Sequence, residues 1–290
     1  MAFRVPASEL VRRRYSCRSF DGLGLERGIL AELEAFPAGL ELPFGSRLRF
    51  GAIDREKVRS ESLFSVGSYG IIKGVRFYLA ALAAKSDPRR WEDIGFALEA
   101  AVLFATSLGL GSCWIGGVFD RRHFGRALGI LPGEQLPAVV AVGRPSARPS
   151  LRERLVRWGA RGKMRKAAGD LFFSEDWESP LPLDREAAWA QVLECVRLGP
   201  SASNKQPWRL IRRREDFHFF LDRGKAYSSL MPFADLQRID MGIAMCHFQA
   251  AVSELGLDGE WRVNEPALQD TPVNYEYVVT FVIHDHSGPG

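Results

Sequence analysis

The sequence lacks closely spaced cysteines. Its four cysteines, Cys17, Cys113, Cys195 and Cys246, form no Cys-x-x-Cys pair, which excludes the common zinc and redox-disulfide motifs. The five histidines are scattered, and none lies in a His-Glu-x-x-His pattern, so no metal site is expected. Without a disulfide framework, the chain is expected to work in a reducing, cytoplasmic compartment.

Long apolar runs are also missing. No uninterrupted apolar window reaches about 18 residues, so no membrane-spanning helix is expected. The first residues, Met1 to Pro6, lack the apolar run of a secretory signal. With 290 residues and 46% apolar residues, the chain is long enough for one large domain or two medium ones.

Positive charge exceeds negative charge only slightly, for a net charge of +4, but it is clustered. One cluster is Arg12-Arg13-Arg14 with Arg18, and the other extends from Arg144 to Lys166. Neither has the interleaved aromatic residues of a single-strand stacking platform. The first cluster suits a small anionic cofactor or substrate as well as a nucleic acid, and the second resembles a solvated linker. A nucleic-acid partner is therefore not expected, although it stays open as a third alternative.

The chain contains two copies of one pattern, and every matched pair of residues is 147 positions apart. Such an internal repeat predicts two structurally equivalent halves related by a pseudo-twofold axis. The alternative is an accidental match between two ordinary helix-glycine-strand junctions. The matched pairs are Asp93 and Asp240, Gly95 and Gly242, Ala97 and Ala244, Leu108 and Leu255, and Trp114 and Trp261.

Each half is expected to contain a helix, two strands, a long helix and a further strand. The Ala-rich segments after Asp93 and Asp240 are apolar on most sides, which indicates deeply buried helices. Gly109 and Gly256 suit the left-handed positions that end such helices, and a Trp-containing strand is expected after each. Asp184 is the predicted N-cap of the helix before Gly199. The predicted helices otherwise span 25–36 and 184–198, and the predicted strands span 48–53, 75–82, 138–143, 208–211, 217–221 and 277–283. The predicted organisation is a first half at 1–146, a basic connecting segment at 147–178 and a second half at 179–290.

The segment from Gly199 to Trp208 is the most informative motif. Pro200 and Pro207 each remove a backbone donor and fix φ, so this segment is a rigid turn that presents Ser201, Ser203, Asn204 and Gln206. Loops of this kind on a rigid scaffold often bind ligands, although a simple helix stop would also fit. The segment resembles the flavin-contacting Pro-Ser-x-x-Asn-x-Gln-Pro-Trp loop of the nitroreductase family at all six fixed positions.

Three other segments are similar to motifs of that family. Arg14-Tyr15-Ser16-Cys17-Arg18 resembles an N-terminal motif that holds the FMN phosphate, with Tyr15 in place of a basic residue; the planar guanidinium suits phosphate oxygens. Gly111 to Gly117 resembles the segment whose backbone lies near the flavin ring, where glycines permit a close approach. Gly143-Arg144-Pro145 resembles a third motif, followed by Arg152 or Arg154 as a further phosphate contact.

The resemblance covers nearly the whole chain. It implies an α+β nitroreductase-like fold, internally duplicated into a pseudo-dimer with mixed or antiparallel sheets, flanking helices and central long buried helices. It also implies a monomer whose single chain mimics the family's homodimer, and a flavin bound between the halves. No catalytic side chain is implied, because the flavin carries the chemistry. The implied FMN-binding residues are Arg14, Tyr15, Ser16, Arg18, Ile115, Gly116, Gly117, Arg152, Arg154, Pro200, Ser201, Ala202, Ser203, Asn204 and Gln206.

Departures from the family pattern limit the number of sites. The first-half counterpart of the Asn-containing loop, Phe36 to Phe44, has neither Asn nor Gln. The second-half counterpart of the arginine motif, Phe173 to Trp177, is acidic, and no Gly-Gly pair follows Trp261. One intact loop and one intact arginine motif therefore predict one FMN per chain, at the interface of the halves.

The function that the resemblance implies is an FMN-dependent NAD(P)H oxidoreductase acting on a small organic acceptor, such as a nitroaromatic or quinone. NADH or NADPH would be a transient donor, in agreement with the absence of a Gly-x-Gly-x-x-Gly loop after a strand. A flavin-binding protein with little turnover is the alternative.

Overall fold

Helices and strands alternate along the chain in two similar series. The computed structural model describes residues 3–57, 72–117, 119–147, 165–184, 186–224 and 233–284. The helices in these ranges are α1 (Ala7–Arg13), α2 (Arg27–Ala35), α3 (Arg90–Ser107), α4 (Arg121–Ala127), α5 (Ala187–Leu198) and α6 (Leu236–Glu254). The strands are β1 (Arg49–Asp54), β2 (Phe77–Ala84), β3 (Gly111–Ile115), β4 (Glu134–Gln135), β5 (Val139–Gly143), β6 (Phe172–Ser174), β7 (Trp208–Arg213), β8 (Asp216–Asp222), β9 (Gly259–Arg262) and β10 (Tyr275–Ile283).

The strands form two sheets with the same topology. The first has the order β1-β2-β5-β3, with β4 also paired to β2, and the second has the order β6-β7-β8-β10-β9. Every pair is antiparallel except β6 with β7, which is parallel. Without β4 and β6, the second sheet repeats the first strand for strand. The predicted α+β class and internal duplication are therefore confirmed.

The two long helices, α3 and α6, lie at the centre and pack on each other. They cross at Gly95 and Gly242, which are equivalent positions of the repeat. A methyl group on Gly95 would collide with the carbonyl oxygen of Ile239, and one on Gly242 with that of Glu92. This reciprocal contact places the pseudo-twofold axis at the crossing, and it explains why each helix has a glycine there.

Both long helices end as the sequence predicts. Gly109 has φ 74° and Gly256 has φ 67°, the left-handed conformation that glycine adopts without a steric penalty. The chain then enters β3 in the first half and β9 in the second half. A left-handed glycine thus ends both long helices, and a strand follows each of them.

The two halves are intertwined. Leu10 and Val11 of α1 are buried in one apolar cluster with Val196 of α5 and Phe248 of α6. The Ser8 amide donates a hydrogen bond of 2.7 Å to the Glu254 carboxylate of α6. The first helix of the chain therefore packs against the second half, as a swapped element would.

One local prediction is wrong, and one strand lies where the sequence predicts none. Asp184 is not the N-cap of α5, because that helix begins at Ala187 with Glu186 as N-cap and no capping side chain. Within the predicted connecting segment, Phe172–Ser174 forms β6 at the edge of the second sheet. Leu171 and Phe172 are buried in the core, and the dense basic charge before them obscures this short apolar signal. Within the described residues, no helix is long and apolar enough to cross a membrane.

Candidate functional site

The arginine motif lies beside β3. Ser16 forms a parallel bridge with Ser112, and the Cys17 amide donates to the Ser112 carbonyl at 2.8 Å. A side chain on Gly111 would meet Cys17, since its Cβ would lie 2.8 Å from Sγ. The glycine at the start of β3 thus lets residues 16–17 run alongside the strand that leads to Ile115 and Gly116.

The Pro200–Gln206 loop is held by its own polar groups. The Ala202 amide donates to the Asp240 carboxylate at 3.0 Å, and the Gln206 amide donates to Ser201 Oγ at 2.9 Å. Ser203, Asn204 and Gln206 all have left-handed φ, at 51°, 55° and 47°. Three left-handed non-glycine residues within four positions are uncommon and cost conformational energy. The contacts around the loop must therefore stabilise this conformation.

Asp240 anchors this loop from inside the protein. Burial raises the pKa of Asp240 well above its usual range, and the hydrogen bond from the Ala202 amide opposes that shift. Its repeat partner, Asp93, accepts from the Phe44 amide at 3.1 Å and the Ser46 amide at 2.8 Å. Equivalent aspartates therefore hold the equivalent loops of the two halves in place, although only the second-half loop contains Asn and Gln.

Arg165 joins the connecting segment to the loop, a contact that the sequence motifs did not identify. Its Nη1 donates to Asn204 Oδ1 at 2.7 Å and to the Gly199 carbonyl at 2.6 Å. Burial, followed by the positive charges of Arg14 and Arg197, lowers the pKa of Arg165 to about 10. Arg14 follows α1, which packs with Val196 near the end of α5, and the Asn204 loop follows α5. The arginine motif of the first half and the loop of the second half therefore lie near each other.

Glu99 of α3 joins the arginine motif, β3 and α6. Its carboxylate is fully buried and accepts from Trp114 Nε1 at 2.7 Å, and the Arg14 Nε lies 3.9 Å from it. His247 Nε2 lies 2.8 Å from Glu99 Oε1, while His247 Nδ1 lies 2.8 Å from the Cys195 carbonyl. A carbonyl only accepts, so Nδ1 must donate to it. One further proton is then shared between His247 and Glu99.

The end of β3 lies between two apolar clusters. Trp114, Ala202 and Leu236 pack against one of them, and Tyr15 and Ile115 pack against the other. Alternate residues of a strand point to opposite faces, which explains the division between Trp114 and Ile115.

Gly116 continues this arrangement at the contact between the halves. A Cβ at Gly116 would lie 3.0 Å from the Leu236 side chain, so the backbone approaches the start of α6 closely. Residues of both halves thus surround the segment that the sequence predicts to contact flavin.

The other predicted residues are placed as follows. The Arg18 carbonyl accepts from the Lys73 amide at 2.9 Å. Gln206 is buried, and its Oε1 accepts from the Lys166 amide at 3.1 Å. Arg152 and Arg154 lie outside the described residues. Pro200 and Gly117 flank the segments described above, and the FMN-binding role of the whole set stays a prediction.

A cleft of about 240 Å³ lies elsewhere, on the second half. Its lining includes Glu175, Glu186, Trp189 and Arg212, and Arg212 pairs with Glu186 at 2.7 Å. None of the predicted site residues within the described ranges lines it. Acidic and basic side chains of this cleft pair with each other. The cleft is separate from the candidate site.

Comparison with known proteins identifies the family. The family model described as "Putative TM nitroreductase" matches residues 7–252. A solved structure from Thermotoga maritima, titled a "putative nitroreductase", has a TM-score of 0.60 at 17% identity and covers 98% of this chain and 96% of its own. An FMN-dependent nitroreductase from Clostridium difficile covers 49% of this chain and 88% of its own, with a TM-score of 0.40 and 19% identity.

A nitroreductase from Bacteroides fragilis with bound FMN covers 51% of this chain and 92% of its own, with a TM-score of 0.42 and 19% identity. No curated protein matches the chain. Since the family model spans most of the sequence and the fold similarity extends over the whole chain, this protein belongs to the nitroreductase family described as "Putative TM nitroreductase".

Proposed function

We propose that this chain is an FMN-dependent oxidoreductase that transfers electrons from NADH or NADPH to a small organic acceptor, with one FMN between its halves. The observation that carries the proposal is the meeting of the arginine motif, the end of β3 and the Asn204 loop. Family membership supplies the class of reaction. The choice of donor and acceptor rests on the resemblance of the motifs.

The charges at this place fit an anionic cofactor. Among the described residues, Arg14 Nε is buried and has no hydrogen-bond partner, and Arg165 donates to neutral oxygens at Leu198, Gly199 and Asn204. Like charges repel strongly where water is excluded. Glu99 lies 3.9 Å from Arg14, and its negative charge partly opposes the lowering of the Arg165 pKa. A phosphate would relieve this repulsion, and arginine binds phosphate oxygens in a bidentate manner.

Each segment has a distinct part in the proposal. Arg14, Ser16 and Arg18 would hold the phosphate, and the amide side chain of Asn204 would hold the polar part of the ring system. The backbone of Ile115–Gly117 would face the ring system, as the resemblance of this segment to the family motif implies. Bound FMN supplies the hydride and electron chemistry, and the protein orients it and excludes water.

The pseudo-symmetric position is filled differently. Arg262, Val263 and Asn264 replace Ile115, Gly116 and Gly117 in the repeat. The Asn264 amide donates to Tyr277 Oη at 2.9 Å, and its carbonyl accepts from Thr280 Oγ1 at 2.9 Å. Because the Asn264 amide and carbonyl already have hydrogen-bond partners, they are not free to bind a cofactor at the second position. We therefore expect one FMN per chain.

The test is the visible spectrum of the purified protein, followed by steady-state oxidation of NADH and NADPH with a nitroaromatic or a quinone. The proposal expects bound oxidised flavin and acceptor-dependent turnover. Flavin without turnover would favour a flavin-binding protein. Colourless protein that does not bind added FMN would overturn the proposal, and a steeply salt-dependent affinity for DNA or RNA would then favour the third alternative.

A further inference from the structure

Arg121 at the start of α4 reaches back to the end of β3. Its Nη2 donates to the Gly116 carbonyl at 2.6 Å and to the Pro137 carbonyl at 3.0 Å. The guanidinium is therefore fixed beside the segment that the proposed function places against the cofactor. A carbonyl pair is a neutral partner, so these bonds orient the cation without neutralising it.

The charge of Arg121 has no carboxylate partner within the described ranges. Its Nε is buried and has no hydrogen-bond partner there, and burial lowers the pKa of the guanidinium. The adjacent Asp120 is already used, because it accepts from the Arg122 and His123 amides at 3.0 and 3.1 Å. A partly desolvated cation without a counterion attracts anions more strongly than a solvated one does.

Two aromatic rings flank this cation, one from each half. The guanidinium carbon lies 4.4 Å from the Phe119 ring centre and 5.7 Å from the Phe233 ring centre. Phe119 is buried, whereas Phe233 is 62% exposed. Phe233 is three positions before Leu236, whose side chain contacts Gly116. An exposed ring and an uncompensated cation therefore meet beside Gly116.

From this arrangement we infer that Arg121 and Phe233 form an acceptor subsite selective for planar aromatic molecules that carry a negatively charged group. The acceptor ring packs on Phe233, and its anionic group faces the guanidinium of Arg121. This inference rests on the proposed function. For a nitroaromatic acceptor, the reaction is NAD(P)H plus H⁺ plus ArNO₂ giving NAD(P)⁺ plus ArNO plus H₂O, in which two electrons reduce the nitro group and one oxygen leaves as water.

The experiment compares 4-nitrobenzoate with the neutral 4-nitrobenzamide, which has nearly the same shape. Binding of each to the oxidised protein is measured by titration calorimetry, and kcat and KM are measured with the same pair. The wild-type protein is expected to favour the benzoate. Arg121→Gln should weaken benzoate binding and raise its KM about tenfold, the scale of one hydrogen bond to a charged group, and should change the benzamide values less than twofold.

Two variants serve as controls. Arg122→Gln removes the same charge from the neighbouring exposed position of the same helix, and it should leave the preference unchanged. Phe233→Ala should weaken both ligands equally, because it removes the ring and not the charge. Since Phe233 is exposed, this variant is expected to fold even if Arg121→Gln does not.

The outcomes separate this inference from the function on which it rests. Protein that binds FMN and reduces both acceptors without a charge preference overturns the subsite alone. Equal losses of benzoate and benzamide in Arg121→Gln would also overturn it, since they would mean that Arg121 only holds Gly116. Protein without flavin or turnover overturns the proposed function, and the subsite with it.

Discussion

At the scale of single residues, the pair formed by Glu99 and His247 is the most consequential buried contact. The two residues come from the two long helices, and both side chains are fully buried. Removing one partner of a buried hydrogen bond typically costs about 1–3 kcal/mol, because the other polar group is left without a partner. Trp114 donates a hydrogen bond to Glu99, and His247 donates one to the Cys195 carbonyl. The pair therefore holds the two halves together beside the candidate site.

His218 in β8 is a second buried histidine. Burial lowers its pKa to about 4, although Asp216 partly opposes this shift, and its Nδ1 lies 2.7 Å from Thr280 Oγ1. The Thr280 hydroxyl donates to the Asn264 carbonyl, which leaves it able to accept from Nδ1. The folded protein therefore holds His218 neutral, whereas the unfolded chain protonates it at an ordinary pKa of about 6.5.

The sign of the resulting pH dependence follows. Below a pH of about 6.5, His218 is protonated in the unfolded chain but stays neutral in the folded protein. The free energy of unfolding therefore falls as the pH drops towards the folded pKa of about 4. This histidine alone contributes a slope of up to about 1.4 kcal/mol per pH unit. Urea denaturation between these pH values should show a shallower loss of stability for His218→Asn than for the wild-type protein. Identical slopes in the two proteins would contradict the assignment.

At the scale of secondary-structure elements, the crossing of α3 and α6 makes a sharp prediction. Gly95→Ala or Gly242→Ala places a methyl group against a backbone carbonyl of the opposite helix, and a backbone cannot rotate away as a side chain can. Each variant should lower the free energy of unfolding by about 3 kcal/mol or more, at the upper end of overpacking effects. The measurement is chemical denaturation followed by circular dichroism.

Gly28 in α2 is the matched control for that experiment. An added Cβ there meets no atom of the described part of the chain within 4 Å, and alanine favours a helix by about 0.5–1 kcal/mol over glycine. Gly28→Ala should therefore leave stability unchanged or raise it. If the two crossing variants behaved like Gly28→Ala, the close approach of the long helices would be incorrect.

Several elements could be predicted from sequence because their signals are local or repeated. The left-handed glycines at Gly109 and Gly256 follow from short-range chemistry. The equivalence of Asp93 and Asp240 follows from the constant spacing of the repeat. The sequence does not show that these two aspartates hold the preceding loops, because that role depends on where distant backbone amides lie.

Other features depend on tertiary contacts that leave no local pattern. The contact from Arg165 to Asn204 joins positions 39 apart, and Arg165 is one of many arginines in its segment. Strand β6 is three residues long, too short for an alternating pattern to stand out from its basic surroundings. Arg121 looks like an ordinary helix-start arginine until the fold brings Gly116 and Phe233 beside it.

At the scale of the whole molecule, duplication followed by divergence explains the unequal halves. The sheets keep the same strand order, and both long helices keep their glycine crossing and their loop-anchoring aspartate. The loop amides persist only in the second half, and the arginine motif only in the first. Neither half alone contains all of the predicted site residues, so the proposed binding of FMN requires both halves to be docked.

This dependence gives the last prediction, in which two distant positions affect one ligand. Arg18→Ala in the first half and Asn204→Ala in the second should each weaken FMN binding about tenfold, since each removes a polar contact to a charged or buried ligand group. Flavin fluorescence quenching measures the affinity and a stoichiometry of about one FMN per chain. Glu175→Ala is the control, because Glu175 lies in the separate cleft and pairs with Arg213 at 3.6 Å; its affinity should match that of the wild-type protein. Unchanged affinity in Asn204→Ala would show that the flavin does not lie between the halves, because the loop is the second half's main contribution to the site.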